Sequence, residues 1–585
     1  MRVADAIAKT LESMGTEYVF GLNGHGNWAL LDALVHGTNI DVVATRAEDQ
    51  AVHMADCYWR MRRNPPLAVV TTSVGPGNVN ITPAVATAFF ESSALMVLAG
   101  GGATQWYERG AIEEFYRYGP EEWTASLRTM TKKAFAVNRP DTALEMVLRA
   151  YKTAISGRPG PVVVQIPYDI QHTEIDLNSL PETSQWVTVS RPGPDPDAID
   201  RAAELISSSL RPLIVVSSGI HNARAWNELR RLVDDYQIPV ETAVPGKGAV
   251  PETHPLSLGC VGRAGTGQAN QAARECDVLI GIGTRFGDID TGGWSLHEIP
   301  GDTQLIHIDI DDGELARVYP TTVAIVSDAR LALNALHSAL ADRKQADRGD
   351  WLRHLAQLRQ QWLEEVLPLR RSDAAPMGYA RVFSDVSEVI NGLDEQATVL
   401  FDTGHALSFG PSFLEARSRN YIHSGFFHRM GWSVPGLIGA KLGNPDHLAL
   451  ALVGDGSFIM AGSAIATAVE LQLPVVYVVL NNRTLQIERE LMLKNYGRHA
   501  LTDYVRRDTS APYGPDFAAW AESFGAAGVT VTDPKSLKGE ITDALKSGAP
   551  CVVQVEIDPE SAGYRSVAYA YPTDFAVRGL PRPPF

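Results

Sequence analysis

Short runs of apolar residues alternate with amphipathic stretches along most of the chain. Such runs lie at residues 67–73, 94–100, 161–167, 212–218, 277–283, 448–454 and 475–481. They are apolar at successive positions, and segments with helical periodicity separate them. Strands buried on both faces are typical of parallel sheets that are covered by helices. The pattern therefore predicts an α/β protein built from doubly wound parallel sheets.

Two polar stretches divide the chain into three segments of similar length. SRPGPDPDA at 190–198 is rich in proline and aspartate, and ADRKQADRGD at 341–350 is a charge run. We predict domains at 1–185, 190–345 and 365–560, and a tail at 561–585 that forms either a lid or a surface arm. The first and third segments end alike, with SGRPGPVVVQIP at 156–167 and SGAPCVVQVEIDP at 547–559. This shared ending predicts a duplicated domain.

Composition and charge argue against several classes of protein. The chain has 585 residues, 45% of them hydrophobic, and a formal net charge of −17, so we expect no general nucleic-acid binding. The apolar runs are too short to span a bilayer, and the N-terminal residues lack the pattern of a signal peptide. The four cysteines form no metal-binding pattern, so we expect reduced thiols in a cytoplasmic protein without a membrane partner.

A glycine-rich loop follows the apolar residues 18–20. GHGNWA at 24–29 is a G-x-G-x-x-A pattern, and the acid Glu48 lies about twenty residues further on, as in a dinucleotide-binding fingerprint. An NAD-dependent dehydrogenase is one hypothesis for such a loop. It leaves unexplained both His25, which stands between the two glycines, and the phosphate-binding pattern of the third segment.

That second pattern is a predicted strand, helix and strand. The first strand leads into GDG at 454–456, a helix is predicted to open at Ser457, and the second strand ends at Asn482. Asp455 and Asn482 are 27 residues apart, which is one βαβ unit, so both are expected at the carboxyl ends of parallel strands. Glycine amides and a helix N-terminus suit a phosphate, and carboxylate and amide oxygens suit Mg²⁺. A plain Asp-Gly turn is the alternative.

GDG followed by NN resembles the motif of thiamine diphosphate-dependent enzymes. Over residues 1 to about 560, the chain also resembles the acetolactate synthase-like (pyruvate oxidase and decarboxylase) family. The stretches that carry this resemblance are TTSVGPGNVN at 71–80, SGRPGPVVVQIP at 156–167, IPVETAVPGKGAVPETHPLSLG at 238–259 and MGWSVPGLIGAKLGNP at 430–445. The resemblance implies pyrimidine-binding, central and diphosphate-binding domains. It also implies thiamine diphosphate and Mg²⁺ as cofactors, a small carbonyl substrate, and at least a homodimer, with a homotetramer expected and active sites at the subunit interface.

The resemblance also assigns roles to individual residues. At the pyrimidine end of the cofactor, Glu48 would contact N1′, Asn80 would line the pocket, and Met430 would be the wedge that bends the cofactor. At the other end, the residues on or beside the diphosphate would be His405, Gly454, Gly456 and Ser457. The Mg²⁺ ligands would be Asp455, Asn482 and the carbonyl of Thr484. Ordinary structural explanations exist for several of them. Glu48 would suit a helix N-terminus, Met430 a core, and His405 a solvated or capping position.

His25 bears on which reaction is catalysed. Acetolactate synthases usually have a small residue at this place, whereas GHGN resembles ring-opening hydrolases of cyclic 1,2-diketones. The resemblance implies a carboligase or lyase that acts on a 2-oxo acid such as pyruvate, through a C2 ylid and an enamine or carbanion intermediate. The alternative is a C–C hydrolase of a cyclic 1,2-diketone. His25 would be a catalytic acid or base in either, or a polar loop residue without chemistry.

Two segments are further candidates for substrate contact. One is WYERGAIEEFYRYGPEEW at 106–123, which includes Glu113, Glu114, Tyr116 and Tyr118 and replaces the glutamine-containing loop of typical synthases. The other is the basic amphipathic stretch at 484–508, with Arg489 and Arg498. Packing at the rim and solvated arginines are the alternatives. FAD binding in the central domain stays open.

Overall fold

A computed structural model describes residues 1–113, 122–176 and 182–562 and contains three six-stranded sheets, all of whose strand pairs are parallel. Each of the seven apolar runs forms a strand. The predicted α/β class of doubly wound parallel sheets is therefore confirmed. Glu114, Tyr116, Tyr118 and the tail beyond residue 562 lie outside the described residues.

The first sheet is built from the N-terminal third of the chain. Its strands are β1 (Tyr18–Gly21), β2 (Asp41–Ala44), β3 (Val69–Thr72), β4 (Met96–Gly101), β5 (Lys133–Ala136) and β6 (Val162–Pro167), in the order β2-β1-β3-β4-β6-β5. The helices of this region are α1 (Val3–Ser13), α2 (Trp28–Gly37), α3 (Glu48–Arg62), α4 (Pro76–Val79), α5 (Thr82–Phe90), α6 (Glu122–Ser126), α7 (Ala143–Ile155), α8 (Tyr168–His172) and α9 (Thr183–Trp186).

The second sheet has a different strand order. Its strands are β7 (Pro212–Val216), β8 (Val240–Thr242), β9 (Ser257–Cys260), β10 (Val278–Ile282), β11 (Gln304–Asp309) and β12 (Val323–Val326), in the order β9-β8-β7-β10-β11-β12. The helices are α10 (Pro196–Ser208), α11 (Ser218–Ala223), α12 (Trp226–Tyr236), α13 (Gly267–Glu275), α14 (Ala329–Ala341) and α15 (Gly349–Arg370). This is the 3-2-1-4-5-6 order of dinucleotide-binding folds, so that order belongs to the central sheet and not to the sheet that carries the GHGN loop.

The third sheet repeats the strand order of the first. Its strands are β13 (Thr398–Phe401), β14 (Tyr421–His423), β15 (Ala449–Gly454), β16 (Val476–Asn481), β17 (Ala527–Val531) and β18 (Cys551–Glu556), in the order β14-β13-β15-β16-β18-β17. The helices are α16 (Tyr379–Leu393), α17 (His405–Phe413), α18 (Ser433–Gly443), α19 (Asp455–Ala461), α20 (Ile465–Glu470), α21 (Gln486–Tyr496), α22 (Phe517–Ser523) and α23 (Leu537–Lys546). Both sheets therefore have the order 2-1-3-4-6-5, as expected of a duplicated domain.

Short 3₁₀ turns complete the regular structure. They lie at His25–Asn27, Thr104–Trp106, Pro140–Thr142, Val244–Gly246, Asp312–Glu314, Gly462–Ala464 and Pro559–Ala562. Each sheet has a core of aliphatic side chains against its covering helices, and every residue of β4 and β16 is buried. Burial at successive strand positions explains why these runs are apolar throughout and do not alternate.

The chain folds into two compact units that do not follow the order of the sequence. The first contains residues 1–190 together with 424–446 and 460–475, and the second contains 191–423, 447–459 and the described residues from 476 onward. Helix α18 accordingly packs against α3, where the backbones approach closely enough that a Cβ on Gly439 would overlap the carbonyl oxygen of Met54. Within the described ranges, no helix is both long and apolar enough to cross a membrane.

Candidate active site

Glu48 is the first residue of α3, just beyond the carboxyl end of β2. Its Oε2 accepts a hydrogen bond from Nδ2 of Asn80 at 3.0 Å. A Cβ on Gly77 would come within 3.2 Å of Oε1, so the segment after β3 lies against the carboxylate on that side. A helix-terminal acid would explain the place of Glu48 on α3, but it would not explain the bond to Asn80. Two residues predicted to surround a pyrimidine are thus in direct contact.

The amides of both glycines in the GHGN loop already donate hydrogen bonds to other residues of the chain. The amide of Gly24 donates to Oδ1 of Asn27 at 3.1 Å, and the amide of Gly26 donates to Oγ of Ser73 at 3.2 Å. A Cβ on Gly24 would overlap the Ser73 side chain, and one on Gly26 would overlap Val74. The glycines therefore allow this loop to pack on the segment after β3. Since those amides are already bonded, the loop does not support the dinucleotide hypothesis.

His25 begins the 3₁₀ turn of this loop, with 29% of its side chain exposed. Its Nδ1 lies 3.5 Å from Oε2 of Glu113, and its ring meets that of Trp28 edge-on at 6.4 Å between centroids. Glu113 is one of the residues predicted from sequence to reach substrate. The structure thus places a carboxylate beside the histidine that separates this loop from those of typical synthases.

Met430 lies on a segment that is tied to the start of α3. The neighbouring Arg429 pairs with Asp49 at 3.2 Å, and Asp49 directly follows Glu48. Burial raises the pKa of Asp49, and the charge of Arg429 opposes that rise. Met430 itself is only partly buried, whereas a methionine that fills a core gap is enclosed. Core packing therefore does not account for this residue.

The predicted Mg²⁺ ligands meet at the carboxyl ends of β15 and β16. The two carboxylate oxygens of Asp455 accept hydrogen bonds from the amides of Gly456 at 2.7 Å and Arg483 at 2.6 Å. Oδ1 of Asn482 accepts from the amide of Thr484 at 2.9 Å. Arg483 has a φ of 57°, in the left-handed region, and this turns the chain between Asn482 and Thr484. Three oxygen-bearing residues are thus brought together by two adjacent loops.

The donor set fits Mg²⁺. Burial raises the pKa of Asp455 to about 6, an effect that a cation at the carboxylate would oppose. The carbonyl of Thr484 accepts no backbone hydrogen bond from the described part of the chain. Over the same residues, no three His, Cys, Asp or Glu side chains are grouped to hold a metal. A site with one carboxylate, one amide oxygen and one carbonyl suits a cation that also takes phosphate oxygens.

The helix at this site begins earlier than its sequence pattern predicts. We expected it to open at Ser457, but α19 starts at Asp455 and includes Gly456. Within this first turn, the amide of Gly456 donates to the Asp455 carboxylate. A Cβ on Gly454 would meet no atom within 4 Å, which leaves space at the end of β15, and Ser457 is buried.

His405 is the first residue of α17 and is only 6% exposed, so it is not a solvated histidine. Its Nδ1 lies 3.1 Å from Oγ of Ser408, and its Nε2 lies 3.2 Å from Oε1 of Glu490. The ring of Tyr379 is 5.1 Å away, and the Tyr379 hydroxyl accepts a hydrogen bond from Nδ2 of Asn482 at 2.5 Å. A buried network therefore joins His405 to Asn482 through Tyr379.

Sequence reasoning missed Tyr379 and Glu490, because nothing local marks either residue as part of a site. It also missed Asp503, whose carboxylate accepts from the hydroxyl of Thr484 at 3.2 Å. Asp503 lies within 3.4 Å of Nε of Arg489, and Arg489 also pairs with Glu560 at 2.8 Å. The basic character of residues 484–508 was the only signal for this link.

The arginines of that segment differ in their surroundings. Arg489 has 23% of its side chain exposed and two carboxylate neighbours, whereas Arg498 is exposed. Arg489 is therefore linked to Thr484 through the carboxylate of Asp503.

Models of known protein families match the chain in three places. The chain matches three family models, which are thiamine pyrophosphate enzyme, N-terminal TPP binding domain, at residues 1–119; thiamine pyrophosphate enzyme, central domain, at 199–336; and thiamine pyrophosphate enzyme, C-terminal TPP binding domain, at 402–555. Glu48 and Asn80 fall within the first match, and Asp455 and Asn482 fall within the third.

Several relatives that match over almost the whole length are named as large subunits of acetolactate synthase. A protein of Methanocaldococcus jannaschii named "Probable acetolactate synthase large subunit" is 33% identical over 96% of this chain and 93% of its own length. One of the same name from Methanococcus aeolicus is 31% identical over 96% and 93%. The isozyme 3 large subunit of Escherichia coli is 30% identical over 93% and 92%. The chain belongs to the thiamine pyrophosphate enzyme family, as an acetolactate synthase-like member.

Proposed function

We propose that this protein is a thiamine diphosphate- and Mg²⁺-dependent carboligase that joins a 2-oxo acid such as pyruvate to a second carbonyl compound with loss of CO₂. The observation that carries the proposal is the metal loop, in which Asp455, Asn482 and Thr484 present three hard oxygen donors beside the open end of β15. The names of the full-length relatives support the choice of carboligation.

Glu48 has the central role in the first unit. When bound, thiamine diphosphate supplies the nucleophilic carbon that adds to the 2-oxo acid. Glu48 shares a proton with the pyrimidine N1′, which requires a fixed carboxylate. Asn80 supports that position through its 3.0 Å hydrogen bond, and a Cβ on Gly77 would come within 3.2 Å of Oε1, so glycine lets the carboxylate lie close to this segment. Met430, which is partly buried, would pack against the bound cofactor.

The metal loop has the matching role in the second unit. Asp455 and Asn482 bind Mg²⁺ through their side chains, and Thr484 binds it through its carbonyl. Gly454, Gly456 and Ser457 line the diphosphate, and His405 lies beside it. The hydrogen bonds of Asp455 with the amides of Gly456 and Arg483 orient the carboxylate before any ligand arrives, which lowers the cost of binding.

His25 acts on the substrate carbonyl as general acid or base. Imidazole exchanges protons near neutral pH, and a ring that is 29% exposed remains accessible to a ligand. Ring-opening hydrolysis of a 1,2-diketone would use the same group, but the relatives give that reaction no support, so carboligation is the function we propose.

A single product analysis tests this choice. The protein, with thiamine diphosphate and Mg²⁺, is given pyruvate in one assay and cyclohexane-1,2-dione in another. We expect CO₂ and acetolactate from pyruvate. Ring opening of the dione without CO₂, and no turnover of pyruvate, would contradict carboligation while leaving the cofactor assignment intact.

We also propose that the protein is at least a homodimer, and a homotetramer as its full assembly. The rings of Phe90 and Phe427, in the first unit, stack at 5.4 Å and remain 39% and 41% exposed. Met460 of the same unit is 55% exposed. Exposed aromatic and methionine side chains on one unit are typical of subunit interfaces. Sedimentation analysis that finds a monomer at micromolar concentration would contradict this assembly.

FAD is not included in the proposed function. In folds with the strand order of the central sheet, a nucleotide binds at the carboxyl ends of the first and fourth strands, here β7 and β10. There the amide of Gly219 donates to the carbonyl of Gly283 at 3.1 Å, and a Cβ on Gly219 would overlap the Gly283 backbone. The two loops close on each other at this point.

The domain limits 1–185, 190–345 and 365–560 remain our proposal for the three domains.

A further inference from the structure

We propose that Glu113 is the positioning residue of His25, so that the two side chains act as one acid–base dyad. The inference rests on the role proposed above for His25. Nδ1 of His25 and Oε2 of Glu113 are 3.5 Å apart, and the side chains are 29% and 45% exposed. Catalytic contacts of this kind are often long without substrate and tighten when it binds.

The backbone holds Glu113 at this place. Gly75, in the segment after β3, has a φ of 53°, and a Cβ there would overlap the carbonyl oxygen of Glu113. Only glycine adopts this conformation easily and leaves the space that Glu113 occupies. The same short segment holds His25 from the other side, because Oγ of Ser73 accepts the amide of Gly26 at 3.2 Å. Both members of the dyad are thus anchored on residues 73–75.

That segment also leads to Glu48. A Cβ on Gly77 would lie 3.2 Å from Oε1 of Glu48, so one stretch of five residues contacts Glu48 and carries the anchors of His25 and Glu113. The dyad is therefore at the edge of the first sheet where the pyrimidine carboxylate is held. A surface ion pair formed by chance would not be expected to share its anchors with a predicted catalytic residue.

The contact determines which histidine nitrogen is available for chemistry. A carboxylate beside Nδ1 accepts the Nδ1–H hydrogen bond and stabilises that tautomer, so that Nε2 has a free lone pair. Nε2 can then accept a proton at the reacting oxygen of the substrate and return it to the same oxygen, while the Glu113 carboxylate holds the ring in place. In this arrangement Glu113 touches His25 and not the reacting atoms.

The test combines a tautomer measurement with a double-mutant cycle. ¹⁵N NMR of histidine-labelled protein reports the tautomer of His25 directly, and His25→Asn identifies its signals. We expect mainly the Nδ1–H tautomer in the wild type and a clear loss of that tautomer in Glu113→Ala. Glu108→Ala, at an exposed acid on the same loop, is the matched control and should leave the tautomer of His25 unchanged. An unchanged His25 tautomer in Glu113→Ala would overturn the inference.

Kinetics give the second readout. General acid–base groups typically contribute about 10²- to 10⁴-fold, so His25→Asn should lower kcat/KM by at least about 100-fold and Glu113→Ala by at least about tenfold. The double variant should lose no more than His25→Asn alone, and Glu113→Gln should shift the pH profile of kcat/KM. Losses that multiply independently would contradict a dyad. If pyruvate is not turned over at all, the proposed function fails, and the tautomer measurement still decides the role of Glu113.

Discussion

Oε2 of Glu48 accepts a hydrogen bond from Nδ2 of Asn80 at 3.0 Å, across 32 residues of sequence. Glu48 begins α3, which follows β2, and Asn80 directly follows α4, the short helix after β3. The contact joins the carboxylate predicted to act on the pyrimidine to the amide predicted to line its pocket.

We predict that Asn80→Ala lowers kcat about tenfold, which corresponds to about 1.4 kcal/mol of activation free energy. The Glu48 carboxylate remains in this variant, but its Oε2 loses the hydrogen bond from the Asn80 side chain. Cofactor affinity, measured by titration with thiamine diphosphate at saturating Mg²⁺, should change less than kcat does. Asn64→Ala is the control, because Asn64 is an exposed asparagine of the same unit, and within the described residues its side chain bonds to the neighbouring Pro65 carbonyl alone. Equal losses in both variants would show that the Glu48 contact has no special role.

We predict that Tyr379→Phe weakens Mg²⁺ binding in the presence of thiamine diphosphate by about tenfold, the lower end of what outer-shell partners of metal ligands contribute. The reason is that its hydroxyl accepts from Nδ2 of Asn482 and so directs Oδ1 of that amide towards the metal. Isothermal titration calorimetry measures the affinity. Tyr496→Phe, at a 72% exposed tyrosine of α21, is the control. An unchanged affinity in Tyr379→Phe would contradict the network.

Glu241 gives a prediction about stability and pH. It lies on β8 of the central sheet, is fully buried, and neither carboxyl oxygen has a hydrogen-bond partner among the described residues. Burial raises the pKa of this carboxyl well above its usual 4.5. The folded protein therefore keeps a proton that the unfolded chain releases above pH 4.5, so this group makes stability fall as pH rises, by about 1.4 kcal/mol per pH unit between the two pKa values.

The variant Glu241→Gln removes that dependence. We expect it to be more stable than the wild type at pH 8, and the advantage to shrink as the pH approaches 5. Thermal unfolding followed by fluorescence at pH 5, 6, 7 and 8 measures the difference between the two proteins. A constant difference across this range would mean that Glu241 does not hold a proton in the folded state.

Much of the fold could be predicted, because burial on both faces leaves a continuous apolar run in the sequence. The site around Asp455 and Asn482 was predictable for a related reason, since both residues follow such runs within one βαβ unit. Tyr379 was not, because it lies 103 residues from Asn482 and only the tertiary fold brings them together. The order of the strands and the packing of α18 in the first unit likewise depend on contacts between distant segments.

The GHGN loop is a second case in which the sequence pattern does not predict the contacts. Its glycines satisfy a dinucleotide pattern, yet the amides of Gly24 and Gly26 are bonded to Asn27 and Ser73. A sequence pattern states that small residues are needed, but not whether a ligand or another part of the chain occupies the space. Here the segment after β3 occupies it.

The most direct test of the cofactor assignment is the turnover of pyruvate by Glu48→Gln, with thiamine diphosphate and Mg²⁺ supplied. The amide keeps the size of the side chain and removes its ability to share a proton with the pyrimidine N1′. We predict that the variant still binds the cofactor and that its kcat falls at least about 100-fold below that of the wild type. Full turnover by Glu48→Gln would contradict the assignment of Glu48 to the pyrimidine of thiamine diphosphate.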